Sequence, residues 1–425
     1  MNMRSRRFFT IALICLIAGT FGCSVTADTA VTKAPEAISS DASPEIQRAE
    51  SLIEKSPQSP AGYVSLASAF IKLGRETGDL AFNRKAQDAI DRGLEAVPSA
   101  PDLMKLNATL MLSGHRFGEA NELGKQLEKD HPSDPFVLGI LTDANVELGN
   151  YEAGAQYAQK LVDVRPNSSS YARAAHVRTL FGDHKGAVEM YVLAARSADP
   201  NDKEAQAWCL VQLGNEYWRA GEYKDSERVN DEALEIFPDY HHALFGKGRA
   251  MASRSEFGAA ARYLANAQSK VSSMETAILL RAVYERLGDV DGASRQATIV
   301  ESEEILGGHF DKHRLAHYWA DNNTNPERSL EVAQADYATQ KDIYASDTLA
   351  WCLLKTGRAD EAKRLIEEAM RLGTRDAKLF YHAGMIEQAL GDSGAAKRYL
   401  KTALDINPAF DLTQSEVAKH VLIKG

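Results

Sequence analysis

The run Gly307-Gly308-His309-Phe310-Asp311-Lys312-His313-Arg314-Leu315-Ala316-His317 spaces three imidazoles four residues apart. On an α-helix that spacing places His309, His313 and His317 on one face. Imidazoles at i and i+4 can share a divalent metal ion, and Asp311 adds an oxygen donor nearby. Two readings follow: a metal-binding or enzymatic face at His309/His313/His317, or a surface helix whose histidines cap and pack. Metal-bound imidazoles are ordinarily oriented by a second, acidic shell, and none is read within sequence reach here. The surface reading therefore leads, and no metal or other cofactor is assigned. His241-His242 reads as the opening of a helix and not as a ligand pair.

Catalytic motifs are otherwise missing from the sequence. There is no HExxH, no phosphate-cradling glycine loop and no GxSxG nucleophile elbow, so the chain is read as non-enzymatic. A different chemistry is offered by Trp208, Gln212, Asn215 and Arg219, with Trp218 at their flank. Helical spacing sets them opposite a stripe of Leu210, Leu213, Gly214 and Tyr217. Arginine pairs bidentately with carboxylates, asparagine bonds peptide backbone and tryptophan gives stacking area. Such groups hold a ligand; they do not turn one over.

The element that positions these residues is Leu210 to Pro238, LVQLGNEYWRAGEYKDSERVNDEALEIFP. It reads as two amphipathic helices split at Ala220-Gly221, the second carrying Tyr223, Ser226, Ala233 and Leu234 and stopped by Pro238. Side-chain-free Gly214 lets another helix come close. The order Leu-x2-Leu-Gly-x2-Tyr, then Gly, a small residue, Ala and Pro resembles the tetratricopeptide repeat, and it recurs about ten times at a period of roughly 34 residues. The clearest other copies carry Gly149-Asn150-Tyr151, Leu280 with Tyr284 and Gly288, Leu349 with Gly357 and Ala362, and Phe380 with Gly384, Gly391, Ala403 and Pro408. The first copy has an insertion, Arg75 to Lys85, read as a lengthened turn. The eighth, Phe310 to Thr339, is degenerate, with Asn322-Asn323-Thr324-Asn325-Pro326 in place of a glycine turn.

The resemblance implies an all-α solenoid of helical hairpins wound as a right-handed superhelix, with the repeats over 60–410. A capping helix is expected over 45–59 and another over 411–425, because the open ends of a solenoid need polar covers. Length alone would suggest two or three globular domains, but a solenoid grows by stacking and needs no second core. The resemblance also implies that the first helix of each repeat lines a concave groove for extended peptides or partner helices. Corresponding positions then add Arg173 and His176 before the set, and His242, Phe245 and Arg249 after it. No carboxylate is read within that set. Asn215 stands where many such grooves carry a peptide-binding asparagine, although the charge pattern of a carboxylate clamp is not reproduced. A second, weaker patch is read at Tyr318, Tyr344, Trp351, Tyr381 and His382.

The first 22 residues read as an export signal: Arg4, Arg6 and Arg7, then the short apolar core Phe8 to Phe21. A membrane span would want about 20 apolar residues. Gly22-Cys23 is similar to a bacterial lipoprotein cleavage site, which makes Cys23 the lipidation candidate. Thr20 and Phe21 depart from the usual residues ahead of it, and cleavage after Ala27 or an uncleaved anchor are the alternatives. Residues 23–44, rich in Ala, Ser, Thr and Pro, read as a tether. Cys209 and Cys352 fall in distant repeats and read as small core residues.

With 49 basic and 59 acidic side chains the formal charge is −10. Without a basic run, an acidic chain is a poor partner for phosphate backbones, so no nucleic acid is expected. The expectation is an exported interaction scaffold facing the periplasm, held to the membrane through lipid on Cys23. Its partner would be a protein or peptide. Envelope lipoproteins of the resembled architecture serve outer-membrane protein insertion and pilus assembly. A soluble periplasmic subunit of a secretion or assembly complex is the alternative.

Overall fold

Every hairpin in the chain is built from the same local decisions. In the computed structural model, which describes residues 43–305 and 312–424, the chain from Pro44 onward makes one compact unit. It is wholly helical among the described residues. After α1 (Pro44–Lys55) come ten antiparallel pairs. These are α2 (Pro60–Thr77) with α3 (Ala81–Ala96), α4 (Pro101–Ser113) with α5 (Phe117–Asp130), and α6 (Pro135–Glu147) with α7 (Tyr151–Val164). Next are α8 (Ser168–Leu180) with α9 (His184–Arg196), α10 (Lys203–Arg219) with α11 (Tyr223–Ile236), and α12 (His241–Ser253) with α13 (Phe257–Lys270). The last four are α14 (Met274–Leu287) with α15 (Val290–Ile305), α16 (Lys312–Asn322) with α17 (Pro326–Thr339), α18 (Ile343–Lys355) with α19 (Ala359–Ala369), and α20 (Ala377–Ala389) with α21 (Ser393–Ile406). α22 (Gln414–Lys424) ends the unit.

Several of the helices start where a polar side chain can take up orphan backbone N–H groups. Asp134, Asn167, Asp202, Ser273, Asp342 and Asp376 all do so. Each hairpin turns through a residue in the left-handed region, and the eighth through two, Asn323 and Asn325. Six of these are Gly149, Gly182, Gly221, Gly288, Gly357 and Gly391, where glycine carries no Cβ penalty. His115, Ser255 and Asn323 occupy the same place in three other pairs. The degenerate eighth turn thus works because asparagine tolerates positive φ better than most residues. The insertion in the first repeat does not lengthen the turn as expected. It extends α2 to 18 residues, ending at left-handed Gly78, so that Arg75 reaches Asp202 and Glu204 at the start of α10.

Buried small residues set the spacing inside each pair. A Cβ on Gly214 would stand 2.6 Å from Asn230 of α11, and one on Gly248 would stand 2.7 Å from Leu264 of α13. Leu264 is fully buried, which is worth about 1.5–3 kcal/mol for a side chain of that size. Between pairs, the first helices touch one another while the second helices make no comparable contacts. The first helices therefore line the inner, concave side. Cys209 and Cys352 are both buried and free.

The solenoid winds far enough to meet itself. Tyr151 Oη accepts from the Ile343 amide at 2.7 Å, and Gln340 Nε2 donates to Glu147 at 2.9 Å. Thr374 donates to the Leu180 carbonyl, and Asn407 Nδ2 donates to the Trp218 carbonyl at 2.8 Å. Partners in these bonds are 189 to 194 residues apart in sequence. Such regularity means that the loops entering α18, α20 and α22 sit on the turns of the third, fourth and fifth hairpins.

Candidate partner-binding groove

On the inner face, α6, α8 and α10 stand side by side and enclose a cavity of about 780 Å³. Arg173, His176, Trp208 and Gln212 line it, together with Arg75 from α2. Trp208 leaves 38% of its surface exposed, unusual for so large an apolar side chain. Arg173 is not free: its guanidinium forks onto Asp143 of α6 at 2.8 and 2.6 Å. His176 keeps accessible surface but lies deep between the groove walls. That desolvation, followed by the charge of Arg219, lowers its pKa, so the ring is neutral at pH 7.

The expectation of a face without carboxylates is wrong. Asp143, Glu147, Asp202 and Glu204 share the cavity wall. Burial, then the charges of Asp342 and Asp143, push the Glu147 carboxyl up to about 8. Glu216 lies on α10 between the recognition set and the core stripe and is 2% exposed. It accepts from Thr179 Oγ1 at 2.7 Å and pairs with His184 Nδ1 at 2.8 Å. Burial opposes its charge, but His184, Arg219 and Thr179 outweigh it and lower its pKa. Its signal in the sequence was position: Glu216 falls beside the core stripe, where a charge survives only with partners.

The remaining predicted residues form a second group. Arg249 stacks on the Trp218 ring, 4.1 Å from its centroid, and lies 5.2 Å from the Phe245 ring. Its Nη2 donates to Asn215 Oδ1 at 2.5 Å, and Trp218 Nε1 donates to Ser253 Oγ at 2.8 Å. Asn215 is within 3.5 Å of Gln212, which joins this group to the cavity. No carboxylate among the described residues comes within ion-pairing distance of Arg249, and its Nε has no hydrogen-bond partner. Desolvation pushes its pKa down to about 10. Arg219, by contrast, is paired with Glu216 at 3.4 Å and Asp376 at 3.6 Å. His242 is exposed at the start of α12, against the rings of Tyr240 and His241.

Two other readings change. His309, Asp311 and Cys23 lie outside the described residues. The rings of His313 and His317 lie 6.2 Å apart, but each bonds elsewhere: His313 bonds Thr348 Oγ1 at 2.9 Å, while His317 Nδ1 bonds Asp321 at 3.1 Å. The patch at Tyr318, Tyr344, Trp351, Tyr381 and His382 is not an exposed surface. Tyr318, Trp351, Tyr381 and His382 are buried, and Tyr344 packs partly buried on the same core.

Two stretches of the solenoid match a known family. Residues 211–273 and 377–410 each match a family model described as tetratricopeptide repeat. No curated protein matches the sequence. Among solved structures, the chain is similar to the human IFIT1 dimer with PPP-AAAA at 12% identity, over 84% of each chain, with a TM-score of 0.45. It is also similar to yeast Tom70 at 12% identity, over 84% of this chain and 96% of that one, with a TM-score of 0.34. A third is PilW, titled a widely conserved type IV pilus biogenesis factor. It matches at 13% identity over 48% of this chain and 93% of that chain, with a TM-score of 0.42. The protein is a helical-hairpin solenoid in which residues 211–273 and 377–410 match the tetratricopeptide repeat, a fold suited to protein–protein interaction.

Proposed function

We propose that this chain is a non-enzymatic scaffold of the bacterial cell envelope that holds a peptide or protein partner in its concave groove. One observation carries the reading. Arg249 is fixed on Trp218, bonded to Asn215 and has no carboxylate in ion-pairing contact, Glu275 acting on it only from further away, while its neighbours Arg173 and Arg219 are both paired. Arg249 is half-buried, with its Nε enclosed and unpartnered, and taking a cation partly out of water without a counter-charge in contact is costly. A partner carboxylate supplies the missing charge in the bidentate geometry that arginine favours, and Trp208 offers stacking area further along the same face. Arg249→Lys keeps the charge and loses the planar fork. We expect it to weaken partner recovery from solubilised envelopes at least tenfold with helical content unchanged. Recovery equal to wild type would refute the assignment of this face.

The envelope location rests on the N-terminal sequence: the basic start, the short apolar core and Gly22-Cys23. No helix among the described residues is long and apolar enough to cross a membrane. Mass spectrometry of the mature N-terminus separates the readings. A diacylglyceryl group on Cys23 supports anchoring, and a chain beginning after Ala27 supports a soluble periplasmic subunit instead.

A further inference from the structure

Three side chains far apart in sequence meet where the first helices of the last three hairpins adjoin. His317 on α16, Asp347 on α18 and His382 on α20 each bring one donor atom within 4.8 Å of the other two, and all three are buried. The geometry points to a binding site for one divalent transition-metal ion of the zinc class at His317, Asp347 and His382. It is not the helical face at His309, His313 and His317, of which it keeps only His317.

Four features support it. Two imidazoles and one carboxylate are a donor set that suits zinc and its neighbours, leaving a position open for water or substrate. Next, the His382 side chain is 0% exposed, with Nδ1 bonded to Asp347 at 2.8 Å and no partner for Nε2. At 2.8 Å, Nδ1 and the Asp347 oxygen are close enough to take one ion between them in place of the proton they share. A second shell is also in place. Asp321 Oδ2 holds His317 Nδ1 at 3.1 Å, and Asp321 Oδ1 accepts from Trp351 Nε1 at 2.8 Å and from Gln414. The His382 ring lies stacked on Trp351, with centroids 4.2 Å apart. Carboxylate-oriented imidazoles with locked rings are how metal ligands are held. Finally, the charge balance favours a cation. Asp321 and Asp347 face the cluster, and Lys378, 3.7 Å from Asp321, is shared with Asp411 at 3.9 Å.

The test uses the full-length chain, stripped with chelator and titrated with Zn²⁺, with Co²⁺ as a spectroscopic probe. We expect one ion per chain and a cobalt spectrum of low coordination number. His382→Ala and Asp347→Ala should each lower Zn²⁺ affinity more than a hundredfold, and Asp321→Asn by about 10–100-fold through lost orientation. His317→Gln preserves volume and polarity and carries the same test if an alanine variant loses helical content. His241→Ala should leave binding unchanged. Failure of the stripped chain to take up Zn²⁺, or uptake that survives both His317→Gln and His382→Ala, overturns the assignment.

Discussion

The self-contact of the solenoid can be measured by adding one methyl group. Gly149 and Gly182 share positive φ with Gly357 and Gly391. At all four, alanine incurs the same local penalty of roughly 1–2 kcal/mol for a left-handed residue with a Cβ. Their surroundings differ. A Cβ at Gly149 would fall well inside van der Waals contact with the Lys341 carbonyl oxygen, and one at Gly182 with that of Gly373, whereas Gly357 and Gly391 face open space. Backbone cannot swing aside as a side chain can, so the two superhelical turns must separate. Around Gly149 that separation strains the Tyr151–Ile343 and Gln340–Glu147 bonds, each worth about 1 kcal/mol. Gly149→Ala should therefore cost about 3–4 kcal/mol and Gly357→Ala about 1–2 kcal/mol. Repeat arrays need not unfold in one step. The assay thus pairs urea midpoints with amide exchange at Ile343 and with the radius of gyration. Equal costs for the two variants, with Ile343 equally protected, would refute the closure.

Three further outcomes follow from the same contacts. Glu147 has a folded value of about 8 against an ordinary 4.5, so the folded chain keeps a proton that the unfolded chain releases. Stability is full below about pH 4.5 and falls as pH rises to 8. Glu147→Gln should flatten that fall and gain about 1–2 kcal/mol at pH 9, read from urea midpoints across pH. That figure is below the ~5 kcal/mol of the full shift because the site keeps some solvent. The bond to Glu216 raises the His184 pKa, so its contribution is present below pH 6.5 and is lost as pH rises through the folded value. His184→Gln should remove this step from the stability profile. Tyr151→Phe leaves the buried Ile343 amide without its acceptor and should cost about 1–3 kcal/mol, with faster amide exchange at that residue.

Much of the fold was legible because each hairpin is a local decision. Cap, small residue, turn and stop all lie within one period, so Leu210 to Pro238 could be read unaided and its copies found. Asn323 shows the same logic surviving a change of residue. What could not be read depends on winding. The bond between Tyr151 and Ile343 spans 192 residues, and no periodicity announces it. The site was legible only by face. Spacing put Trp208 and Arg249 on inner helices but was silent on Asp143 and Glu204, which reach the cavity around Trp208 from two hairpins before and from the start of the same helix. The histidine run misled for a related reason. Its leading reading was a surface helix, whereas His317 is buried, with Asp321 one turn on and His382 two hairpins away.

The central claim, a partner held on the inner face, is tested most directly by photo-cross-linking in intact cells. A photoreactive residue at position 208 faces the cavity, and one at Arg228 sits exposed on α11, a second helix outside the inner row. We expect one defined cross-linked protein from position 208, lost with Arg249→Lys, and none from position 228. The same product from both positions, or a product from position 228 alone, would contradict it.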